Sequence, residues 1–373
     1  MTNGNKPGPN RRITVAFFIS SLGDGGAQKQ FALLANELSR RDDVRLIVVR
    51  NLPGIHDHLL DEDRMDCRWL GASGNYDPRI ITRLRRVLRD ERVDVLFSWL
   101  QAADVPAFFA RSLHPSTAWV LAERDSAYPK NWRFVLRDWL GVRADAIVAN
   151  SEAGAEYWGR RGYRGRHAVI SNIVTPSQDA GEASSAGQHT ALFVGRLEPQ
   201  KNVITTVQAL CVAVSRNARW RFSLVGQGSQ LPVLKGIVED AGVSSAIEFV
   251  GFTHEVDSVM RRFRFLVSMS LHEGLPNVLL EAITRGLIPI VSRIPEHEAV
   301  LGPNYPFYVN EYGDASSIAE MLEIASVSPL ANSSSLAHAR GLVASMAPGL
   351  VADEYIKLFQ SLGAVDASVI VDG

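Results

Sequence analysis

Short runs of β-branched and aliphatic residues alternate with amphipathic stretches along most of the chain, and this alternation narrows its folds more than any other feature. The runs fall near 13–20, 44–49, 94–98, 118–122, 145–149 and 167–171, and again near 190–195, 220–225, 246–250, 264–269 and 288–292. Strands interleaved with helices in this way belong to parallel sheets covered by helices. Between the two series, Thr175 to His189 is rich in Ser, Ala and Gly and has no periodicity, as a linker would be. With 373 residues the chain is also too long for one core. The expected architecture is α/β, with two Rossmann-like doubly wound domains over 13–172 and 190–345 and a linker over 173–189. Helical spacing of Leu350, Val351, Tyr355, Ile356, Leu358 and Phe359 predicts a helix within 346–363 that returns toward the first domain, and the last ten residues read as a tail.

Bulk composition is that of a soluble protein, with 46% apolar and 21% charged residues. The two cysteines, Cys67 and Cys211, fall in different expected domains, so a reducing compartment fits better than a disulfide framework. The first twelve residues do not read as a signal peptide, and no run reaches eighteen apolar residues. The expected location is cytoplasmic, peripheral at the inner face of the cell membrane. Overall charge is −1, but residues 1–172 carry +6 and residues 173–373 carry −7. That split suggests that the first half meets something acidic.

The run Glu273-Gly274-Leu275-Pro276-Asn277-Val278-Leu279-Leu280-Glu281-Ala282 carries the chemistry. Pro276 suits a first helical position and Gly286 a helix end, which puts Glu273 and Gly274 at the helix mouth and Glu281 on its second turn. A helix mouth offers unpaired N–H groups and partial positive charge to a phosphate. Carboxylates beside it are suited to hydroxyls. A second loop, Gly195 to Asn202, follows a strand and brings Arg196 and Lys201, which suit a diphosphate leaving group. Gly226, Gly228 and Gly251 end strands, and they read either as ordinary strand-to-loop glycines or, with Phe252 nearby, as the walls of a pocket for a base.

In the first half, the strand from Ile13 runs into Ser21-Leu22-Gly23-Asp24-Gly25-Gly26-Ala27, a phosphate-compatible turn. Gln28 in place of a third glycine and Arg50 at the second strand end argue against a dinucleotide site. Glu123-Arg124-Asp125 ends another strand, and it reads either as part of an acceptor site or as a local ion-pair network. Two segments could meet a membrane surface: the basic amphipathic stretch Arg79 to Arg92, whose default reading is a helix covering the sheet with its arginines solvated, and Tyr128 to Arg143, where Trp132 and Trp139 lie among cations. The histidines are scattered, so no metal site is expected, and no nucleic-acid motif is present.

Together these motifs resemble the retaining GT-B glycosyltransferases of family 4. The resemblance rests on Gly195-Arg196 with Lys201, on Glu273-Gly274-x-Pro276 with Glu281-Ala282, and on Gly286 and Pro289. It implies that Arg196 and Lys201 hold the donor diphosphate and that Glu273 binds hydroxyls of the transferred sugar. Gly274, Leu275, Pro276, Asn277 and Val278 would contact phosphate and sugar, and Glu281 would bind the nucleotide ribose. Gly25 and Gly26 match the family's glycine loop, and Glu123 and Arg124 would lie on the acceptor side.

Where many members carry a histidine, this chain has Glu123-Arg124-Asp125, which resembles a subgroup that extends polyprenyl-diphosphate-linked oligosaccharides. The implied activity is metal-independent transfer, with retention, of a hexose or N-acetylhexosamine from a UDP-sugar to a glycan or lipid-linked acceptor. No cofactor is implied. A nucleotide-sugar epimerase, or a nucleotide-sugar binding subunit without turnover, is the alternative.

Overall fold

A computed structural model of the chain describes residues 12–23, 25–125, 128, 131–175, 187–253 and 255–363. It forms two compact units, Met1–Ile173 with Pro348–Gly373, and Val174–Ala347. Most of the expected linker, 176–186, and the tail, 364–373, lie outside the described residues.

The first unit holds seven strands: β1 (Ile13–Ile19), β2 (Val44–Arg50), β3 (Asp66–Trp69), β4 (Val95–Trp99), β5 (Ala118–Glu123), β6 (Ala146–Ala149) and β7 (Arg166–Val169). Their order is β3-β2-β1-β4-β5-β6-β7, and every pair is parallel. The second unit holds β8 (Thr190–Val194), β9 (Arg221–Val225), β10 (Ile247–Gly251), β11 (Phe265–Ser268), β12 (Ile288–Ser292) and β13 (Tyr308–Val309). Their order is β10-β9-β8-β11-β12-β13, again all parallel. Each sheet has apolar side chains on both faces, as strands covered by helices on both sides require.

Two strands go beyond the expected set. β3 carries Asp66, Cys67, Arg68 and Trp69, none of them fully buried, so the hydrophobic run that marks a buried strand is missing. β13 is two residues long, too short to show a period.

The helix Pro348–Gly363 belongs with the first unit. It buries Val351, Ala352, Tyr355, Ile356, Leu358 and Phe359. The ring of Phe359 lies 6.2 Å from Phe17 and 5.6 Å from Phe97, while Arg41 reaches Asp353 at 2.6 Å.

Both sheets reverse their winding once, and in such sheets the ligand crevice lies beyond the carboxyl ends of the strands at that point. In the second unit the reversal lies between β8 and β11, and in the first between β1 and β4. Leu100, immediately after β4, has φ 70° and ψ 158°, a region that glycine alone adopts freely. Relief of that strain should make Leu100→Gly more stable by about 1 kcal/mol, offset in part by the apolar area its side chain no longer buries. Thermal denaturation of the two proteins checks it.

Candidate active site

The site is built from the loops that follow β8 and β11. After β8 the chain turns at Gly195 and passes through Arg196 and Leu197 into a single turn, Pro199–Lys201. This loop is tied down along its length. Leu197 N donates to the Gln227 carbonyl at 2.8 Å, and the Glu198 carboxylate accepts the Ser229 N–H and hydroxyl at 2.8 and 2.7 Å. Gln200 holds the loop after β11, where its carbonyl accepts from Leu271 N at 2.9 Å and its Nε2 donates to the His272 carbonyl at 3.1 Å. Gly226, at the end of β9, is needed for two reasons: its φ is 137°, and a Cβ there would collide with the Gly195 carbonyl. Gly226→Ala should therefore cost about 1–3 kcal/mol, read from denaturant unfolding.

This scaffold brings Lys201 to Glu273. The ammonium donates to Glu273 Oε1 at 2.5 Å, and the Ser270 hydroxyl donates to the same oxygen at 2.6 Å. Glu273 is 8% exposed. Burial works against its ionisation, but the Lys201 charge and the bonds from Lys201 and Ser270 outweigh it. Its carboxyl is held below the usual glutamate range.

Beyond Gly274 and Leu275 the helix Asn277–Thr284 begins, with Pro276 as its N-cap. Pro276 thus sits one position earlier than the sequence suggests. Pro276 makes no side-chain cap hydrogen bond, and the Asn277 N–H donates to the Leu275 carbonyl at 2.9 Å, so the N–H groups beyond Asn277 are the ones suited to an anion. Asn277 and Val278 are half-buried on that turn, and Glu281 lies one turn on, also half-buried. Gly286, with φ 78°, follows the helix as expected. Arg196 is exposed and donates to Gln200 Oε1 at 3.1 Å, so it too belongs to this loop cluster. Phe252 follows β10 on the same sheet and is half-buried. These residues combine one buried carboxylate, a paired ammonium, a guanidinium and an uncapped helix end. Such a set can hold an anion and orient hydroxyls beside it.

Gly25 and Gly26 lie in the first unit. Gly25 is the N-cap of the helix Gly26–Leu38 in an extended conformation. Trp99 Nε1 donates to the Ala27 carbonyl at 2.9 Å, which fixes the turn to the end of β4.

The expected acceptor role of Glu123 and Arg124 is corrected. Glu123 is fully buried and all its lone pairs point into the fold. Its Oε2 accepts from Arg137 at 3.0 Å and from Trp158 Nε1 at 2.7 Å. Its Oε1 accepts the Arg124 and Asp125 N–H groups and the Tyr128 hydroxyl. Arg137 also bonds Asp104 at 2.6 Å, and Asp104 accepts from Ser98 at 2.7 Å. Burial and the nearby Glu123 push the Asp104 carboxyl up to about 6, against the pull of Arg137 and Ser98. Arg124 is 9% exposed and turns inward as well, reaching Asn172 at 3.2 Å and the Tyr355 hydroxyl at 2.6 Å. Its guanidinium lies 3.8 Å above the Trp99 ring. The ion-pair reading of this strand end is what the fold contains.

The two segments suited to a membrane form helices Arg79–Asp90 and Trp132–Gly141. In the first, Ile80, Leu84 and Leu88 are buried, as for a helix that covers a sheet. In the second, Trp132, Val135 and Trp139 are 67%, 66% and 59% exposed. Arg133 lies 4.9 Å over Tyr76, and Arg143 lies 4.2 Å over Trp139. Lys130 lies outside the described residues.

Sequence reasoning missed Ser270, which bonds Glu273, Ser292, which bonds Ser270, Gln200, which holds the loop before Glu273, and the Arg137–Asp104 pair. Serines and glutamine at loop positions give no signal of their own, and Arg137 reads as one more surface arginine on a basic segment.

Known proteins give the same division of the chain. Residues 25–172 match the family described as "Glycosyl transferase 4-like domain", and residues 188–325 match "Glycosyl transferases group 1". A Campylobacter jejuni GalNAc-α-(1→4)-GalNAc-α-(1→3)-diNAcBac-PP-undecaprenol α-1,4-N-acetyl-D-galactosaminyltransferase is 24% identical over 283 residues, 73% of this chain and 77% of that protein. A Xanthomonas campestris GDP-mannose:cellobiosyl-diphosphopolyprenol α-mannosyltransferase is 29% identical over 153 residues, 40% of each chain. Among solved structures, Anabaena HepE in complex with UDP and glucose superposes with a TM-score of 0.79 at 16% identity, covering 94% of this chain and all of that one. Sucrose-phosphate synthase from Thermosynechococcus elongatus gives 0.77 at 17% identity, covering 95% and all of that chain. These likenesses establish the GT-B fold, and with the two family matches the chain belongs to the glycosyltransferases that join a glycosyltransferase 4-like domain to a group 1 domain.

Proposed function

We propose that this glycosyltransferase moves a hexose or N-acetylhexosamine from a UDP-sugar to a polyprenyl-diphosphate-linked glycan, with retention and without a metal. The observation that carries the reading is the Lys201–Glu273 pair beside the uncapped Asn277 helix, at the winding reversal of the second sheet. Departure of a nucleoside diphosphate develops negative charge, which Lys201, Arg196 and the helix N–H groups are suited to stabilise in place of a metal. Glu273, kept ionised by Lys201, accepts hydrogen bonds from sugar hydroxyls. Glu281 serves the ribose, Gly274 to Val278 the phosphate and sugar, and Phe252 the base. No carboxylate is assigned as nucleophile. The acceptor oxygen bonds to the anomeric carbon on the face the diphosphate leaves, and its proton departs on a diphosphate oxygen.

Relatives that act on undecaprenol- and polyprenol-diphosphate glycans support the acceptor class. The HepE complex with UDP supports the nucleotide. The decisive assay offers UDP-GlcNAc, UDP-GalNAc, UDP-glucose and GDP-mannose with undecaprenyl-diphosphate-linked oligosaccharides, with and without a chelator. An α-linked product from a UDP-sugar, unaffected by the chelator, is the expected result. Conversion of the sugar without acceptor would instead identify an epimerase, and nucleotide binding without turnover a binding subunit.

The acceptor is anchored in lipid, and the face of the Trp132–Gly141 helix suits the surface of an anionic bilayer. The protein is accordingly peripheral at the inner face of the cell membrane. Among the described residues no helix is long and apolar enough to cross a membrane. Trp132→Ala with Trp139→Ala should lower co-sedimentation with anionic vesicles about 10-fold while leaving transfer to a soluble acceptor analogue unchanged. Equal sedimentation of variant and wild type would refute this surface.

A further inference from the structure

His297 lies in the helix Pro295–Leu301 and is wholly buried. Its Nδ1 is 2.8 Å from the Ser292 carbonyl oxygen, which can only accept, so Nδ1 carries the proton and Nε2 is a bare acceptor. That Nε2 is buried and has no hydrogen-bond partner among the described residues. An unpaired buried acceptor costs about 1–3 kcal/mol, a cost that an apolar side chain of similar size avoids.

From Ser292 a chain of contacts leads to the proposed donor site. The Ser292 hydroxyl donates to the Ser270 carbonyl at 2.7 Å, and the Ser270 hydroxyl donates to Glu273, the partner of Lys201. Charge reaches the imidazole as well. Burial holds its proton affinity below the usual histidine range and Lys201 adds to this, while the Ser292 carbonyl and Glu273 pull the other way. On its own helix the charges are Glu296 and Glu298, the latter bonded to Arg293 at 2.6 Å. From β13, the Tyr308 hydroxyl reaches the His297 carbonyl at 3.3 Å.

Resting on the donor-site reading above, we propose that His297 is a positioning residue for Glu273. The neutral imidazole keeps the Ser292–Ser270 chain in the register that points Glu273 at the sugar. A proton taken up at Nε2 sets a second cation behind the pair, competes with Lys201 for the carboxylate and spoils that register. Because folding disfavours the charged imidazole, its contribution is complete above the ordinary histidine range and is lost as pH falls below it.

The test is the pH dependence of sugar transfer by the full chain. Wild-type kcat should fall about 10-fold between pH 7.5 and 5, with KM for the UDP-sugar little changed. In His297→Asn the side-chain amide still donates to Ser292 but cannot take up the proton, so kcat should stay near the wild-type value at pH 7.5 and remain flat in acid. His297→Leu should lose about 10-fold at every pH. An acid fall in His297→Asn equal to that of wild type overturns the proposal, as does full kcat in His297→Leu.

Should either variant fail to fold, the wild-type imidazole titration followed by NMR serves instead. The sugar-bearing nucleotide should lower its midpoint relative to UDP alone, since sugar binding and protonation oppose each other. Identical midpoints overturn the proposal. Absence of any nucleotide-sugar binding at pH 7.5 would defeat the donor-site reading itself, whereas binding with an unaltered pH profile in His297→Asn defeats this inference alone.

Discussion

Lys201→Ala is expected to lower kcat by at least about 100-fold, the scale seen when one charge-stabilising donor is removed from a transition state. Two losses combine. In the proposed reaction the diphosphate loses a cation as its bond to the sugar breaks, and Glu273 loses the ammonium bonded to it in a site where it is 8% exposed. Without Lys201, burial dominates and the Glu273 carboxyl rises above its present lowered position. The acid limb of the rate should therefore move to higher pH in the variant. Lys201→Arg should recover part of the rate, because it restores a cation but not the compact geometry of an ammonium at 2.5 Å from Oε1. Nucleoside diphosphate release with a lipid-linked acceptor measures both. A Lys201→Ala protein with wild-type kcat would remove the site from the reaction.

Arg137→Leu is expected to destabilise the first unit by about 3–5 kcal/mol, the cost of stranding buried charge. The guanidinium is 1% exposed and is bonded to both Asp104 and Glu123, themselves 1% and 0% exposed. The cluster thus holds two carboxylates against one guanidinium, and burial, with a smaller contribution from Glu123, raises the Asp104 carboxyl. Its sign is definite. The folded chain keeps a proton on Asp104 that the unfolded chain has already released, so stability declines as pH rises from about 4 to about 6. Asp104→Asn should abolish that decline. Urea unfolding at several pH values reads both effects, and a pH dependence identical in wild type and Asp104→Asn would contradict the assignment.

The same cluster shows why the first unit was harder to read. Glu123-Arg124-Asp125 at a strand end gives one signal for a crevice and for an internal network. The choice is made by Arg137, 14 residues further on, and by Trp158, 35 residues on, which meet Glu123 only when their helices pack on the sheet. The second unit was more legible because its motifs are contiguous. A helix mouth with glutamates on either side of Pro276 is a local arrangement, and backbone geometry places it whatever packs around it. Strand existence was legible wherever both faces are buried, as in β1, β4 and β12, and failed at two of the four edge strands, where β3 is polar and β13 is two residues long.

Local pattern by itself determined the alternating strands and helices of two parallel-sheet α/β domains. These follow from short-range periodicity and turn chemistry, which fix backbone conformation within a few residues. The tertiary fold alone decided that Lys201 and Glu273, 72 residues apart, share a hydrogen bond. It also turned Glu123 inward and buried His297 against the Ser292 carbonyl, within reach of the charges of the pair. Those outcomes depend on strand order and on which charge finds a partner away from water, and no local signal in the chain encodes either.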